Sequence, residues 1–146
     1  MRKLIKTEVL IDAPAERVWA QLTDFGSFPG WNPFIRRAEG RLEPGEQLKI
    51  RLRLPNRLPV SFAPRITRVE PNRELRWQAK VGVRGLFDVE RIFQIEPYDG
   101  GVRFSQSEVC TGLLTPLMFA ANLEAQLYGG YDALNRALRA RAEAGA

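Results

Sequence analysis

Apolar and polar residues alternate along much of the chain, which is typical of β-strands that bury one face. Residues 47–54 read QLKIRLRL and residues 74–81 read ELRWQAKV, so each segment predicts a strand with its large apolar side chains on the inner face. Residues 4–11 and 60–70 show the same tendency, but Pro64 interrupts the second segment. Because proline has no amide hydrogen for the ladder, we expect an edge position or a bulge near residue 64.

A hairpin is predicted over residues 87–109. Two alternating segments, 87–96 and 102–109, flank the sequence PYDGG, whose glycines readily adopt the positive φ of tight turns. If residues 98–101 close the hairpin without a bulge, Arg91 comes opposite Glu108. Arg91, Gln106 and Glu108 share the parity of their apolar neighbours, so we expect them to point inward. Since an unpaired buried charge is costly, the sequence predicts a cross-strand ion pair of Arg91 with Glu108.

Helical patterns bracket these strands. A short helix after residue 14 would bury Val18, Trp19 and Leu22 on one side. Residues 25–34, FGSFPGWNPF, are too broken for a long helix and too apolar for a free loop, so we expect a compact helical turn packed on the sheet. Residues 115–144 predict one long helix. Its buried seam, meaning the apolar residues spaced three and four apart on one face, consists of Ala120, Leu123, Leu127, Tyr131, Leu134 and Leu138.

Length and composition indicate one ordinary globular unit. The chain has 146 residues, so we expect residues 1–146 to form a single domain. No apolar run approaches the ~18 residues that span a bilayer, and the first residues read as a strand, not as a signal peptide. We therefore expect no integral membrane association and a cytoplasmic location. The single cysteine, Cys110, can form no internal disulfide, which agrees with a reducing compartment.

The absence of histidine excludes several kinds of chemistry. Without it the chain has no Ser-His or Cys-His nucleophile pair and no histidine-containing metal site. The sequence also contains no phosphate-binding glycine loop and no metal-ligand spacing, so we expect no metal and no cofactor. The net charge of +5 comes from scattered arginines without a nucleic-acid-binding motif, so no nucleic-acid partner is expected. Monomer and homodimer both remain open.

A bent sheet and one helix cannot fill all the space between them, so we expect an apolar cavity that holds a ligand. Its polar groups would be Arg91, Gln106 and Glu108, of which Arg91 and Glu108 are also the candidate catalytic residues. Gly129 and Gly130, inside the helix, would mark a kink or a close approach. The predicted apolar lining, which could instead fill a solid core, is Leu52, Phe62, Trp77, Phe87, Val89, Phe93, Phe104, Leu123, Leu127 and Tyr131.

Several segments resemble one superfamily. The sequences IDAPAERVW (residues 11–19) and WNPF (residues 31–34) are similar to the N-terminal signature of the SRPBCC superfamily, which includes START domains, birch-pollen-allergen proteins and polyketide cyclases. Residues 93–108 and 134–143 also resemble its hairpin and helix end, and the likeness is greatest to the bacterial polyketide cyclase/dehydrase branch. The resemblance implies an α+β helix-grip fold, in which a curved antiparallel sheet wraps a long C-terminal helix, with two short helices after the first strand.

Three functions are compatible with these features. The resemblance implies a cavity for lipids, polyketides or other hydrophobic molecules, so the leading hypothesis is binding or carrying such a ligand. The first alternative is a cyclase- or dehydratase-like enzyme, in which Arg91, Glu108, Gln106 or Tyr131 would polarise a carbonyl or move a proton. The second alternative is a protein-interaction module similar to the chaperone-cofactor branch of the superfamily, which would use its surface and not the cavity.

Overall fold

The computed structural model describes residues 2–54, 58–120 and 122–145. Within these residues the strands are β1 (Arg2–Ile11), β2 (Ile35–Glu39), β3 (Lys49–Leu52), β4 (Val60–Phe62), β5 (Arg65–Glu70), β6 (Glu74–Val81), β7 (Phe87–Tyr98) and β8 (Gly101–Thr111). The helices are α1 (Ala15–Thr23), α2 (Phe28–Trp31), α3 (Thr115–Ala120) and α4 (Leu123–Glu143), with a 3₁₀ turn over Phe25–Ser27. This is the predicted α+β order, with two short helical segments after the first strand.

The strands form two antiparallel sheets that join in a bend. Five strands pair in the order β1-β8-β7-β6-β5 and three in the order β2-β3-β4. The chain passes from the smaller sheet to the larger one at Ala63 and Pro64, which confirms the irregularity predicted near Pro64. The amide of Leu48 donates to the Pro64 carbonyl (2.8 Å) and the amide of Ile66 to the Glu46 carbonyl (2.9 Å). These bonds connect the sheets into one curved surface.

The hairpin of β7 and β8 has the predicted register. Asp99 (φ 47°) and Gly100 (φ 83°) form a two-residue turn with positive φ at both positions. The pairing then continues along both strands without a shift and sets Arg91 opposite Glu108. Turn length and strand parity together were sufficient to place this pair.

The first helical region also agrees with the sequence. Helix α1 buries Val18, Trp19 and Leu22. Residues 25–34 form the expected compact turn, in which the side-chain Oδ1 of Asn32 accepts hydrogen bonds from the amides of Phe34 (3.0 Å) and Ile35 (2.8 Å). Because Asn32 is fully buried, these bonds hold the chain in a fixed path. Phe34 is thereby directed into the core, where it is also fully buried.

The prediction of a single helix over residues 115–144 is wrong at its start. Asn122 lies between α3 and α4 with φ 62°, in the left-handed region, which cannot continue an α-helix. Asparagine tolerates this conformation better than most residues. Ala120, which the prediction placed in the buried seam, is exposed. The rest of the seam is buried on α4, as predicted: Leu123, Leu127, Tyr131, Leu134 and Leu138.

Strand β2 was not predicted from the sequence. Its five residues read IRRAE, and the buried positions, Ile35 and Ala38, are three residues apart. The pairing with β3 shifts between Ile35 and Arg37, which marks a bulge. A bulge adds one residue and so destroys the period of two on which strand prediction depends.

Helix α4 packs very closely on the core at Gly130. A Cβ atom added there would lie 2.4 Å from Cδ1 of Phe34, whereas one added at the exposed Gly129 would meet nothing within 4 Å. The expectation of a close approach at this glycine pair is therefore confirmed for Gly130. Gly129 makes no comparable contact.

Replacing each of the two glycines by alanine is expected to change the free energy of unfolding in opposite directions. Gly130→Ala should lower the free energy of unfolding by about 1–3 kcal/mol, because the methyl group would displace the buried ring of Phe34. Gly129→Ala should raise it by about 0.5–1 kcal/mol, because alanine favours the helix and meets no neighbour. Urea denaturation of both variants measures the difference. Equal effects would show that the helix does not contact Phe34 in this way.

Candidate functional site

Arg91 lies inside the protein, where its charge requires compensation. It shares the inner face of β7 with Phe93 and Ile95, and it is only 4% exposed. The carboxylate of Glu108, on β8, lies opposite, with 3.6 Å between Arg91 Nη1 and Glu108 Oε2. The structure therefore confirms the predicted facing and the cross-strand ion pair.

Three aromatic rings surround the guanidinium group of Arg91. Its Cζ atom lies 4.3 Å from the ring centroid of Tyr131, 5.0 Å from that of Phe93 and 5.2 Å from that of Phe34. The negative faces of such rings attract a cation, most strongly away from water, and this attraction offsets part of the cost of burial. Tyr131 comes from α4, Phe93 from β7 and Phe34 from the segment after α2. The charge thus lies where three parts of the fold meet.

A series of hydrogen-bonded amide side chains fixes the orientation of Arg91. Arg91 Nη2 donates to Oε1 of Gln106 on β8. The Nε2 group of Gln106 donates to Oδ1 of Asn135 (2.7 Å) and to the main-chain oxygen of Tyr131 (3.1 Å). Asn135 Nδ2 in turn donates to Thr7 Oγ1 on β1 (3.0 Å). Because each amide uses both its oxygen and its nitrogen, the network defines one orientation for Arg91.

Burial changes the proton affinity of the charged pair. It lowers the pKa of Arg91 from 12.5 to about 10, against the opposing effect of the Glu108 carboxylate. Arg91 therefore remains protonated near neutral pH. Burial also raises the pKa of Glu108, and the positive charge of Arg91 opposes that rise. The site consequently contains a permanent cation beside a carboxyl group whose protonation is favoured by its surroundings.

Three buried polar atoms of this site have no hydrogen-bond partner among the residues that the structure describes. They are Nε of Arg91, the hydroxyl oxygen of Tyr131 and Oε2 of Glu108, which lies within ion-pair distance of Arg91 Nη1 but beyond hydrogen-bond distance. Buried polar groups are nearly always hydrogen-bonded, so these atoms are available to an additional partner. Arg91 Nε can only donate, the Tyr131 hydroxyl can donate or accept, and Glu108 accepts when ionised. Together they suit a molecule with a carbonyl, hydroxyl or carboxylate group.

A cleft of about 900 Å³ opens where the two sheets separate. Strand β6 continues beyond Gln78, which pairs with Arg65 at the start of β5, so its last residues have no β5 strand beside them. Its lining includes the apolar side chains of Phe62, Ala79 and Val89 together with charged residues of both signs, among them Lys80, Arg84, Asp88 and Glu90. The cleft is large enough for a small organic molecule.

The cleft and the charged pair are neighbours along β7. Val89 precedes Arg91 by two residues on the same face, a distance of about 7 Å along a strand. Across the strand pair, Ala79 lies opposite Val89 and Trp77 lies opposite Arg91. The side chain of Glu108 is 13% exposed against 4% for Arg91, so Glu108 is the more accessible member of the pair.

The predicted lining residues fall into three groups. Phe62 and Val89 line the cleft. Trp77, Phe93 and Phe104 instead pack against one another, with ring centroids 5.2 Å apart for Trp77 and Phe93 and 6.3 Å apart for Phe93 and Phe104. The other apolar members are the half-buried Leu52 and the buried Phe87, Leu123 and Leu127. Direct contact of these residues with a ligand remains a prediction.

Three residues of the site were not predicted from the sequence: Thr7, Phe34 and Asn135. Thr7 shares the inner parity of β1 with Ile5, so alternation could have identified it. Asn135 follows Tyr131 by one helical turn and is buried, so helical spacing could have identified it as well. Phe34 had no such signal, because its position depends on the bonds that Asn32 makes to the main chain.

Other kinds of site are not found in the part of the chain that the structure describes. No group of three or more His, Cys, Asp or Glu side chains there could hold a metal ion. None of the helices in residues 2–54, 58–120 and 122–145 is long and apolar enough to cross a membrane. A second groove, of about 380 Å³, lies between β1, the β7–β8 turn and the end of α4. Its Asp12 amide donates to the Glu143 carboxylate (2.9 Å).

Solved structures with the same fold include aromatase/cyclases. The chain matches the Zhui aromatase/cyclase from Streptomyces sp. R1128 with a TM-score of 0.78 and 17% identity, over 98% of this chain and 94% of that one. It matches the protein TTHA0849 from Thermus thermophilus with a TM-score of 0.77 and 15% identity, over 99% of both chains. It covers 53% of the di-domain ARO/CYC StfQ from the steffimycin biosynthetic pathway, over its own full length, with a TM-score of 0.76 and 13% identity. At these low identities the likeness establishes the helix-grip fold alone.

The family comparison covers nearly the whole chain. None of the curated proteins matches this sequence. Residues 3–143, however, match the family described as polyketide cyclase/dehydrase and lipid transport. That span contains every residue of the site, from Thr7 to Asn135, and it confirms the resemblance found in the sequence. The chain therefore belongs to the polyketide cyclase/dehydrase and lipid transport family, within the SRPBCC superfamily.

Proposed function

We propose that this protein binds a small hydrophobic molecule in the cleft between its sheets, with a polar oxygen of that molecule directed toward Arg91 and Glu108. The observation that carries the proposal is the set of buried atoms without a hydrogen-bond partner, Arg91 Nε, Glu108 Oε2 and the Tyr131 hydroxyl, on the strand face that continues at Val89 into the cleft. The description of the family supports a lipid or a polyketide as the class of ligand.

The rigidity of the polar groups supports binding of a defined ligand. Gln106 and Asn135 hold Arg91 in one orientation, so its free Nε–H points in a fixed direction. A donor that is already oriented loses little conformational entropy when a ligand oxygen arrives. The apolar lining residues Phe62, Ala79 and Val89 would add binding energy by removing ligand surface from water.

A second candidate function is cyclisation or dehydration of the bound molecule. The raised pKa of Glu108 favours it, because a carboxyl group that is protonated beside a bound carbonyl can act as a general acid. The aromatase/cyclase structures with the same fold lend it further support. Transport requires only that the ligand leave unchanged, whereas this candidate requires a chemically altered product.

Filling the cleft is expected to weaken binding of a fluorescent apolar anion, anilinonaphthalene sulfonate. Ala79→Phe places a ring in the cleft and should raise the Kd of this probe about tenfold, because the ring occupies volume and apolar wall that the probe requires. Ala140→Phe makes the same change at an exposed position of α4 and should leave the Kd unchanged. A fluorescence titration of the wild type and both variants measures this.

Two outcomes would contradict the proposed site. Binding that is unaffected by Ala79→Phe would place the probe elsewhere. An absence of saturable binding to the wild type, repeated with a fatty acid and a polycyclic phenol, would exclude the hydrophobic cleft as a ligand site. Native mass spectrometry of the protein from its own host then identifies the retained molecule, and its mass before and after incubation separates transport from conversion.

We also propose that residues 1–146 act as one ligand-binding domain in the cytoplasm. Contacts between the two ends of the described chain support the first point: the Arg17 guanidinium donates to the Ala142 carbonyl (3.2 Å). The free thiol of Cys110, buried in the core, supports a reducing compartment.

A further inference from the structure

One end of the protein is built from two segments that lie side by side. Residues 82–86 follow β6 and residues 112–118 follow β8. The amide of Leu113 donates to the Gly85 carbonyl (3.0 Å) and the amide of Leu114 to the Leu86 carbonyl (2.8 Å). Gly112, at φ 115°, allows this contact, since a Cβ there would lie 2.4 Å from the Leu86 carbonyl oxygen. We call these two segments the tip.

The tip exposes large apolar side chains. Leu113 is 81% exposed, Leu117 is 68% exposed and Val83 is 66% exposed. Leu113 lies two residues before α3 and Leu117 is the third residue of that helix. Val83 belongs to the turn that is hydrogen-bonded to Leu113. Single exposed leucines are common on protein surfaces, but three apolar side chains on two joined segments form a patch that requires explanation.

Basic residues accompany this patch. Arg84 lies in the same turn as Val83, Lys80 is the second-last residue of β6, and Arg2 lies opposite Thr111, which immediately precedes Gly112. All three basic side chains are exposed, and within residues 2–54, 58–120 and 122–145 none of them forms an ion pair.

Two acidic groups lie near the tip, and one of them is paired with a cation. Asp88, opposite Lys80 on the paired strands, accepts a hydrogen bond from the Gly85 amide (3.1 Å). The carboxylate of Glu124 is bound by Lys3 (2.9 Å). The Lys3–Glu124 pair is neutral in sum, so the three basic side chains without an ion pair outnumber the one remaining carboxylate, Asp88, and the charge around the patch is net positive.

We propose that the tip docks on the surface of an anionic lipid bilayer. Val83, Leu113 and Leu117 would enter the headgroup region, and Arg84, Lys80 and Arg2 would contact the lipid phosphates. Apolar residues flanked by basic ones are the combination that such surfaces bind, through burial of apolar area and attraction to anionic lipid. A second copy of the chain is a poorer partner, because a two-fold contact through this patch would bring the same positive charges together.

The tip lies beside the cleft, so docking would bring the cleft close to the bilayer. Lys80, Gly82 and Arg84 belong to the tip or its edge and also line the cleft. A bilayer at the tip would therefore lie beside the cleft that we propose as the ligand site. Docking depends only on exposed side chains, so it can be tested independently of ligand binding.

Sedimentation with vesicles tests this proposal. The wild type should bind phosphatidylcholine vesicles that contain about 30% phosphatidylglycerol, and binding should weaken as salt screens the charges. Leu113→Gln combined with Leu117→Gln should lower the partition coefficient at least about tenfold, and Arg84→Gln about fivefold. The control is Leu4→Gln combined with Leu10→Gln, two leucines of β1 that are 50% and 51% exposed and lie outside the tip. That control should bind like the wild type.

Each alternative result would overturn the proposal. Wild-type protein that stays in solution with these vesicles, or a Leu113/Leu117 variant that sediments as strongly as the wild type, excludes docking through the tip. Equal losses in both double variants would show a nonspecific effect of surface leucines. Sedimentation equilibrium without lipid is the last check, since a wild-type dimer that the Leu113/Leu117 variant dissociates, with no vesicle binding, would assign the patch to self-association. Circular dichroism verifies that each variant is folded.

Discussion

Replacing Arg91 by methionine is expected to lower the free energy of unfolding by about 3–5 kcal/mol, because the change leaves the buried carboxylate of Glu108 without its cation. The partners of Arg91 add to the loss, since Oε1 of Gln106 would also lose its donor inside the core. Urea denaturation at neutral pH measures the effect. Arg136→Met is a suitable control, because its ion pair with Asp132 is 72% and 62% exposed and should contribute less than about 1 kcal/mol.

The double variant, Arg91→Met with Glu108→Leu, should recover at least about 2 kcal/mol of that loss, because removing both charges also removes the cost of burying them. Recovery should remain incomplete, since Gln106 Oε1 still has no donor. A single Arg91→Met variant within about 1 kcal/mol of the wild type would contradict the buried ion pair.

The same double variant separates structure from function. If the pair orients a ligand, the folded double variant should bind the ligand identified from the host at least about tenfold more weakly than the wild type. Unchanged affinity would leave Arg91 and Glu108 with a purely structural role. Stability and binding are thus measured on one molecule, and neither result determines the other.

The sequence contained enough information to place the charged pair, because two local rules decide it. The PYDGG turn determines which residues of the hairpin face each other, and strand parity determines which of them point inward. Neither rule depends on the rest of the protein. Arg91, Gln106 and Glu108 were therefore assigned to the interior from the sequence, and the structure places them there.

The surroundings of the pair could not be predicted in the same way, because they depend on how distant elements dock. Phe34 reaches Arg91 only because Asn32 fixes the turn before it, and Tyr131 reaches it only because Gly130 lets α4 approach. The cleft likewise results from the separation of the two sheets after Pro64, which is a property of the assembled sheet. Alternation along a strand shows which face of the strand is buried. It does not show which residues of other elements pack against that face.

The break before α4 shows a second limit of sequence patterns. Apolar residues occur at helical spacing on both sides of Asn122, so the pattern predicts one continuous helix. The main chain nevertheless adopts φ 62° at this one residue, which separates α3 from α4. Asparagine permits this conformation without requiring it. The break leaves Leu117 on the short helix α3, in the exposed tip.

Cys110 in the folded protein is expected to react with an aromatic disulfide reagent at least about a thousandfold more slowly than in the unfolded chain near pH ~8. Burial, reinforced by the Glu108 carboxylate, raises the pKa of the Cys110 thiol from 9.0 to about 12. Only the thiolate reacts, and each pKa unit lowers its population about tenfold below pH ~9. The side chain is also only 1% exposed, which restricts access of the reagent.

The shifted thiol also makes stability depend on pH in a defined direction. The pKa of the thiol in the folded state lies above the ordinary value of 9.0. Its contribution to the free energy of unfolding is therefore complete below pH 9 and is lost as the pH rises toward 12. Relative to Cys110→Ala, the wild type should therefore lose up to about 1.4 kcal/mol per pH unit in that range. Rapid labelling of Cys110 in the folded protein would contradict its buried position. A free energy of unfolding that changes equally with pH in the wild type and in Cys110→Ala would contradict it as well. Cys110 lies opposite Val89 in the cleft wall and shares the inner face of β8 with Glu108, so its labelling rate should fall further when a ligand occupies the cleft.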